Sequence, residues 1–292
     1  MNKLKLGIPK GSMQDSTINL FRNAGYAITS NTNSRSYYPQ VDDDQIDVML
    51  LRPQEMALYV EQGVIDVGLA GRDWVVECGT DVKEIAELVY SKATNQPARW
   101  VLAVAQDSEF TAVKDLEGKV IFTELIGIAK EYLEKNGVDA IVKFSHGATE
   151  VKIPHLCDAI IDITETGSSL RANGLKIIDT VMESVTVIIV NQEAWQNRWK
   201  RTKIENLRML LSGALKAESK VGLKMNIAEE NLNPILGILP AMRNPTISSL
   251  SQDGWYAIET IIDQHVVREL IPKLRRVGAE GIIEYPLNKV IP

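Results

Sequence analysis

The sequence predicts an α/β protein whose sheets are largely parallel, followed by a small ferredoxin-like domain, and three observations carry that expectation. Short β-branched runs alternate with amphipathic segments along most of the chain, the pattern of helices covering a sheet. Toward the C-terminus the order becomes β, α, β, β, α, β within roughly 75 residues, the ferredoxin-like signature. The 292 residues are 45% hydrophobic and 24% charged, the proportions of a folded soluble protein of about two domains.

Taken in order, the strand candidates of the first part are residues 3–8, 46–51, 65–69, 100–105, 119–122, 140–144, 159–163 and 186–190. Helices fall between them. Residues 13–24 place Met13, Thr17, Leu20, Phe21 and Ala24 on one face, and residues 53–62 begin with a proline in the first turn and end at Gly63. A polar helical stretch at 214–220 leads into a strand run at 221–227, a helix candidate reaching Leu239-Pro240, and β-like runs at 246–250 and 255–262. In the last helix Val266, Val267, Leu270, Ile271, Leu274 and Val277 keep three- and four-residue spacing before Gly278 and a strand at 281–285. A domain boundary is expected near residue 216. Residues 64–71 and 157–162 echo one another as buried strands running into small-residue loops, which two lobes built alike around a cleft would produce, but so would any buried parallel strand.

Charge and composition exclude whole classes of function. Thirty-two basic against thirty-eight acidic side chains leave a net charge of -6, which argues against nucleic acid or anionic membrane as partners but leaves room for a local phosphate pocket. The first eleven residues contain no apolar signal-peptide region, and no run approaches the roughly 18 apolar residues of a membrane span. Cys78 and Cys157 are too few for a disulfide framework and lack zinc-ligand spacing. A cytoplasmic location is expected.

The most informative stretch is residues 158–173, DAIIDITETGSSLRAN. A hydrophobic strand ends at Asp162 and is followed by Thr164, Thr166, Gly167, Ser168 and Ser169, then the start of a helix. Hydroxyls, a backbone-exposing glycine and a helix N-terminus in one loop make an anion nest suited to a phosphate monoester, with Asp162 placed to accept hydrogen bonds from sugar hydroxyls. The plainer reading is a Ser/Thr-capped helix after a strand.

That string resembles the phosphoribosyl diphosphate loop of the ATP phosphoribosyltransferases. The resemblance continues in register through Gly7-Ile8-Pro9-Lys10-Gly11-Ser12, Arg52-Pro53-Gln54-Glu55, Gly68-Leu69-Ala70-Gly71-Arg72-Asp73, Thr123-Glu124-Leu125 and Gly147-Ala148-Thr149-Glu150-Val151. Leu239-Pro240-Ala241-Met242, Asn244-Pro245-Thr246 and Gly278-Ala279-Glu280-Gly281-Ile282 look like the ACT-like domain of the long form of that family. Three departures are Cys157 where Ala is usual, Ser169 where Thr is common, and Glu165 within the loop, whose carboxylate is expected to turn away from the nest.

The resemblance implies two periplasmic-binding-protein-like lobes of type II, lobe I from residues 1–97 and 184–215 and lobe II from 98–183, plus an ACT-like regulatory domain at 216–292. It implies transfer of phosphoribosyl from phosphoribosyl diphosphate to N1 of ATP, with Mg2+ as counter-ion, histidine as allosteric inhibitor, and a homohexamer in equilibrium with dimers that needs no separate regulatory subunit. By the same likeness Arg35 and Arg52 act in catalysis. Substrate contacts are implied for Lys10, Gly11, Asp73, Glu124, Glu150, Asp162, Thr164, Thr166, Gly167, Ser168, Ser169 and Leu170. Inhibitor contacts are implied for Met242, Thr246, Ile261 and Gly281.

Other readings stand beside these. Arg72 joins Lys10, Arg35 and Arg52 as a cationic candidate at the pyrophosphate, with a solvated charge or a weak ion pair as the competing reading. Glu124 and Glu150 hold substrate hydroxyls or the adenine edge, or else cap the helices that follow. His146 at a strand end reads as structural, and His155 with Cys157 is too sparse for a metal. Asp42-Asp43-Asp44 reads as a solvated loop, and Arg198, Lys200, Arg201, Lys203 and Arg208 as an exposed helix face. No GxGxxG or GxxxxGK motif is present, so ATP would bind without a Walker loop. A non-catalytic two-lobed binding protein would carry an export signal, and a sensor paralogue would have lost Arg52 or the 162–170 loop; neither holds.

Overall fold

The computed structural model describes residues 2–29, 36–90, 96–240 and 245–291. The chain divides into two compact units, one of Met1–Arg22 and Tyr26–Arg208, the other of Asn23–Gly25 and Met209–Pro292. In the first unit the order is β1 (Leu4–Pro9), α1 (Gln14–Ala24), β2 (Ile28–Thr29), β3 (Gln40–Val41), β4 (Ile46–Leu51), α2 (Pro53–Glu61), β5 (Val67–Gly71), α3 (Arg72–Cys78) and β6 (Lys83–Leu88). It continues through β7 (Ala98–Ala105), β8 (Val120–Thr123), α4 (Ile126–Asn136), β9 (Ile141–Phe144), β10 (Ala159–Thr164), α5 (Ser168–Ala172), β11 (Leu175–Ser184), β12 (Thr186–Val190), α6 (Gln192–Gln196) and α7 (Arg198–Glu218). The boundary expected near 216 falls inside α7, which runs past Arg208.

Two five-stranded sheets form two lobes, in the orders β4-β1-β5-β12-β6 and β11-β7-β10-β8-β9. The chain leaves the first lobe after β6, returns to it at β12, and only Val185 separates β11 in one sheet from β12 in the other. This is the discontinuous, periplasmic-binding-protein-like arrangement expected. The sheets are less parallel than expected: β12 runs antiparallel to β5 and β6, and β7 antiparallel to β10 and β11. The reason is topological, since β7 and β12 are the strands that enter each lobe from the crossing. They start where the βα strands end and so run against them.

Sequence explains how the helices seat. Helix α2 buries Met56, Ala57 and Val60, and a Cβ at Gly7 or Gly68 would lie 2.5 or 2.8 Å from the Met56 sulfur. Glycine in both strands therefore lets α2 lie directly on the sheet. Helices α3 and α4 stop at the left-handed glycines Gly79 and Gly137. In lobe II Leu102, Leu116, Ile121, Leu125, Ala129 and Ile161 share one core, into which Trp74 from α3 of lobe I also packs. No described helix is long and apolar enough to cross a membrane.

The second unit contains β13 (Lys220–Ala228), α8 (Leu232–Leu236), β14 (Thr246–Ser249), β15 (Trp255–Asp263), α9 (Gln264–Arg276) and β16 (Glu280–Pro286). Its sheet order, β14-β15-β13-β16 with every pairing antiparallel, is that of a ferredoxin-like domain. The apolar face buries Val221, Leu223, Met225, Ile258 and Ile262 with Val267, Leu270 and Leu274 of α9. Helix α8 is shorter than the helix candidate that reached Leu239.

Two surface features differ from expectation. Asp43 is ion-paired to Lys203 at 2.6 Å and Lys200 to the 4%-exposed Asp66 at 2.7 Å. The acidic loop and the basic helix face are thus partly tied together rather than solvated. Lys200, Lys203, Ile204 and Leu207 recur at helical spacing, so the two lysine stems follow the buried stripe before their ammonium groups meet carboxylates.

Candidate active site

The C-terminal ends of the parallel strands of both lobes meet at a cleft, the position at which open α/β sheets bind ligands. A cavity of about 400 Å3 there is lined by Pro9, Ser12, Gln54, Gly71 and Asp73 from lobe I and by Trp100, Glu124, Asp162, Thr164 and Glu165 from lobe II.

The loop between β10 and α5 is held by its own hydroxyls. The buried Thr164 accepts the Gly167 amide at 2.8 Å, Thr166 Oγ1 donates to Ser168 Oγ at 2.9 Å, and Arg171 donates to the Thr166 carbonyl at 3.1 Å. Gly167 is left-handed (φ 72), a backbone conformation that an L side chain would strain, which is why glycine stands at this turn. Ser169 Oγ donates to Glu150 at 2.6 Å, tying the loop to the turn that follows β9. Leu170 differs from the others because its side chain is 2% exposed within the lobe II core. Only its backbone is available to a ligand.

Asp162 stands at the centre of a carboxylate group. Burial pushes its pKa up to about 6 against the opposing pull of the Ile163 amide, and the charges of Glu150 and Glu124 add to the rise while Lys152 offsets part of it. Glu124 accepts a 3.4 Å hydrogen bond from Gln54 across the cleft. Lys152 bonds Ser145 and the Gly147 carbonyl, and Ser145 bonds Thr149 at 2.8 Å, so the turn carrying Glu150 is fixed from beneath. Glu165 is half-buried and among the cavity-lining residues. His146 rests edge-on against Phe144, ring centroids 4.7 Å apart. Cys157 is a core residue, 5% exposed, whose thiol burial pushes up to about 11; it serves as a small apolar side chain.

Lobe I supplies the cations. Lys10 follows β1, its amide bonded to the Leu51 carbonyl and its ammonium 3.7 Å from the Tyr37 ring centroid. Gly11 beside it has φ 117 and open space on its Cβ side. Arg52 is the N-cap residue of α2, exposed, and makes no ion pair among the described residues. Arg72 is bound instead to Glu84 and Glu87, which hold its guanidinium charged, so it follows the ion-pair reading. Arg35 and Met242 lie outside the described residues.

Asp73 has a role the sequence did not suggest. It is 3% exposed, accepts the Trp100 indole N–H at 2.6 Å and the Trp74 amide at 3.0 Å, and its own amide donates to Ser184 Oγ at 3.1 Å. Arg72 N donates to the Val185 carbonyl at the crossing. The start of α3 therefore braces lobe I against lobe II, with both Asp73 oxygens engaged. Trp100→Phe removes the buried donor and lowers stability by about 2 kcal/mol, readable in urea unfolding; an unchanged midpoint would show that the Asp73 bond contributes nothing. Trp100, Ser184 and Lys152 carried no motif, and only burial and contact identify them; Gln54 lay in a matched segment but was given no role.

In the second unit Thr246 pairs with Glu259 and Ile261 with Gly222, on the sheet face opposite the helices, while Gly281 (φ 55) sits at an irregularity between β13 and β16.

Residues 52–213 match the family described as ATP phosphoribosyltransferase, and residues 217–289 the family described as HisG, C-terminal domain. The chain is 57% identical over 290 residues to an ATP phosphoribosyltransferase of Chlorobaculum parvum, covering 99% of this chain and 98% of that one. It is 56% identical over 288 residues to that of Solibacter usitatus, covering 99% of each. Among solved structures it resembles an ATP phosphoribosyl transferase (HisG:HisZ) complex from Thermotoga maritima, with a TM-score of 0.62 and 26% identity over 74% of this chain and 99% of that one. With both parts of the chain matched in order, and a hydroxyl-rich loop at the strand ends of a two-lobed cleft, the chain belongs to the ATP phosphoribosyltransferase family, which carries out the first step of histidine biosynthesis.

Proposed function

We propose that the cleft joins N1 of ATP to C1 of phosphoribosyl diphosphate with release of pyrophosphate, the 162–170 loop holding the 5′-phosphate and ribose. The loop itself carries this reading: after Asp162 near the end of β10, which lines the cleft, come the hydroxyls of Thr164, Thr166, Ser168 and Ser169 and the left-handed Gly167 at the start of α5. Displacement at an anomeric carbon develops positive charge on the ribose and negative charge on the leaving group. Asp162, Glu124 and Glu150 then orient ribose hydroxyls on the positive side, while Arg52 and Lys10 face the pyrophosphate. Closure of the cleft keeps water from the activated ribose.

Among the described residues no group of three or more His, Cys, Asp or Glu is placed to hold a metal. The hard carboxylate oxygens of Asp162, Glu124 and Glu150 would be the protein's contacts to the water shell of a Mg2+ bound with the diphosphate, which would supply positive charge to the leaving group. The second unit is read as the histidine sensor, with Thr246, Ile261 and Gly281 at the inhibitor site, in a homohexamer exchanging with dimers and without a separate regulatory subunit. Its ferredoxin-like order and its match to the C-terminal family support that reading.

One assay tests both parts. The purified chain with ATP, phosphoribosyl diphosphate and Mg2+, with pyrophosphatase pulling the reaction forward, forms an ultraviolet-absorbing adduct that histidine suppresses. Suppression weakened about tenfold or more in Thr246→Ala, at unchanged rate without histidine, places the inhibitor there; adduct formation indifferent to histidine removes the sensor assignment.

A further inference from the structure

Helix α4 starts without a local cap. Its N-cap position is Leu125, whose side chain has no acceptor, and its first turn contains no acid. Helix starts normally use Ser, Thr, Asp or Asn there, because the first amides have no partner within the helix. In this protein the amides of Gly127 and Ile128 donate at 2.8 and 2.9 Å to Oε1 and Oε2 of Glu77. Glu77 lies on α3, in the opposite lobe. Both its oxygens are used, and its charge faces the positive end of an eleven-residue helix. Gly127 leaves room for this approach, since a Cβ there would lie 3.2 Å from Glu77 Oε2 and the carboxylate would have to give by a few tenths of an ångström.

The capped end is continuous with the cleft. Thr123 is fully buried and accepts the Leu125 amide at 3.1 Å, so the turn between them moves with the start of α4. Glu124 is the residue in that turn; it lines the cavity, bonds Gln54 of lobe I and acts on the charge of Asp162. We infer that Glu77 is a positioning residue for phosphoribosyl transfer: it caps α4 from the other lobe and thereby fixes Glu124 in the cleft at one spacing of the lobes. The inference rests on the reading of Glu124 as a substrate contact. It also makes the lobe contact part of the site, because separating α3 from α4 breaks two charge-assisted hydrogen bonds and frees the turn that carries Glu124.

A double-mutant cycle on the full-length chain tests this, with kcat and KM for phosphoribosyl diphosphate and a thermal unfolding midpoint for Glu77→Ala, Glu124→Ala and the pair. Glu77→Ala lowers kcat/KM about tenfold with the midpoint within a few degrees of the parent, and has no further effect once Glu124 is Ala. Should Glu77→Ala not fold, Glu77→Gln takes its place, keeping the length and one acceptor. Losses that multiply would overturn the inference and leave the role of Glu124 intact. A Glu124→Ala enzyme with parental kcat/KM would overturn the reading of Glu124 and the inference with it.

Discussion

Replacing Arg52 by Ala lowers kcat by about 10²–10³-fold and leaves the thermal unfolding midpoint within about 2 °C of the parent. Arg52 holds a backbone position that Ala adopts without strain (φ -65, ψ 139), its side chain supplies no cap bond, and it joins no ion pair among the described residues. The folded state therefore loses little when the guanidinium goes. The transition state loses a planar cation able to fork onto two pyrophosphate oxygens as charge develops there. Arg52→Lys restores the charge without the fork and recovers only part of the rate. Steady-state kinetics beside a melting curve decide the matter, and parallel loss of folding and turnover would assign Arg52 to the scaffold instead.

Asp162→Asn separates activity from stability in the opposite sense. Under the proposed ribose contact the exchange lowers kcat/KM about 100-fold, because the amide keeps only one of the two acceptor oxygens, puts a donor in place of the other and removes the charge facing the developing cation. At neutral pH and above the same exchange stabilises the fold by about 1–2 kcal/mol. That figure is reduced for solvent screening of a half-buried group from the about 3 kcal/mol that a shift from 3.8 to about 6 would carry. Between those two values the folded parent binds more protons than its unfolded chain, so its stability falls as pH rises through about 4 to 6. The variant lacks that titration. Its advantage in urea unfolding is near zero at pH 3.5 and full by pH 8; a pH-independent difference would mean that the carboxylate charge is not the cause.

Stability given up at Asp162 fits the proposed role of that residue in holding a ligand. Three carboxylates gathered against one lysine are poorly arranged for folding, and under that proposal sugar hydroxyls would supply the missing donors. Periodicity could not show this. The hydrophobic letters of residues 159–163 announced a strand and the small polar residues after it a turn, but the neighbours Glu124 and Glu150 arrive from two other βα units.

What was hard to read follows a physical pattern. Strand β11 was missed because irregularities between Ile177 and Asp179 and between Thr180 and Met182 break the two-residue alternation that marks a strand. Strand β6, Lys-Glu-Ile-Ala-Glu-Leu, carries charges suited to the sheet edge it occupies beside β12. Lys200 and Lys203 looked like a solvated face because their partners, Asp66 and Asp43, lie 134 and 160 residues away.

The sequence alone determined the α/β class, the ferredoxin-like end and the position of the hydroxyl-rich 162–170 loop, since each of these is written in local spacing: helical period, strand runs, and a Gly with hydroxyls in one short segment. The two-lobed plan came from the family resemblance rather than from spacing. Tertiary structure decided which charges are free for chemistry. Arg52 and Arg72 are both arginines at strand ends, yet one is exposed without an ion pair among the described residues and the other is held by Glu84 and Glu87. It also made Asp73 a brace to Trp100 and Glu77 the cap of a helix in the other lobe. The reason is that the energy of a charge or a buried hydrogen bond depends on its partner and its solvent, and those partners come together only when the chain has folded.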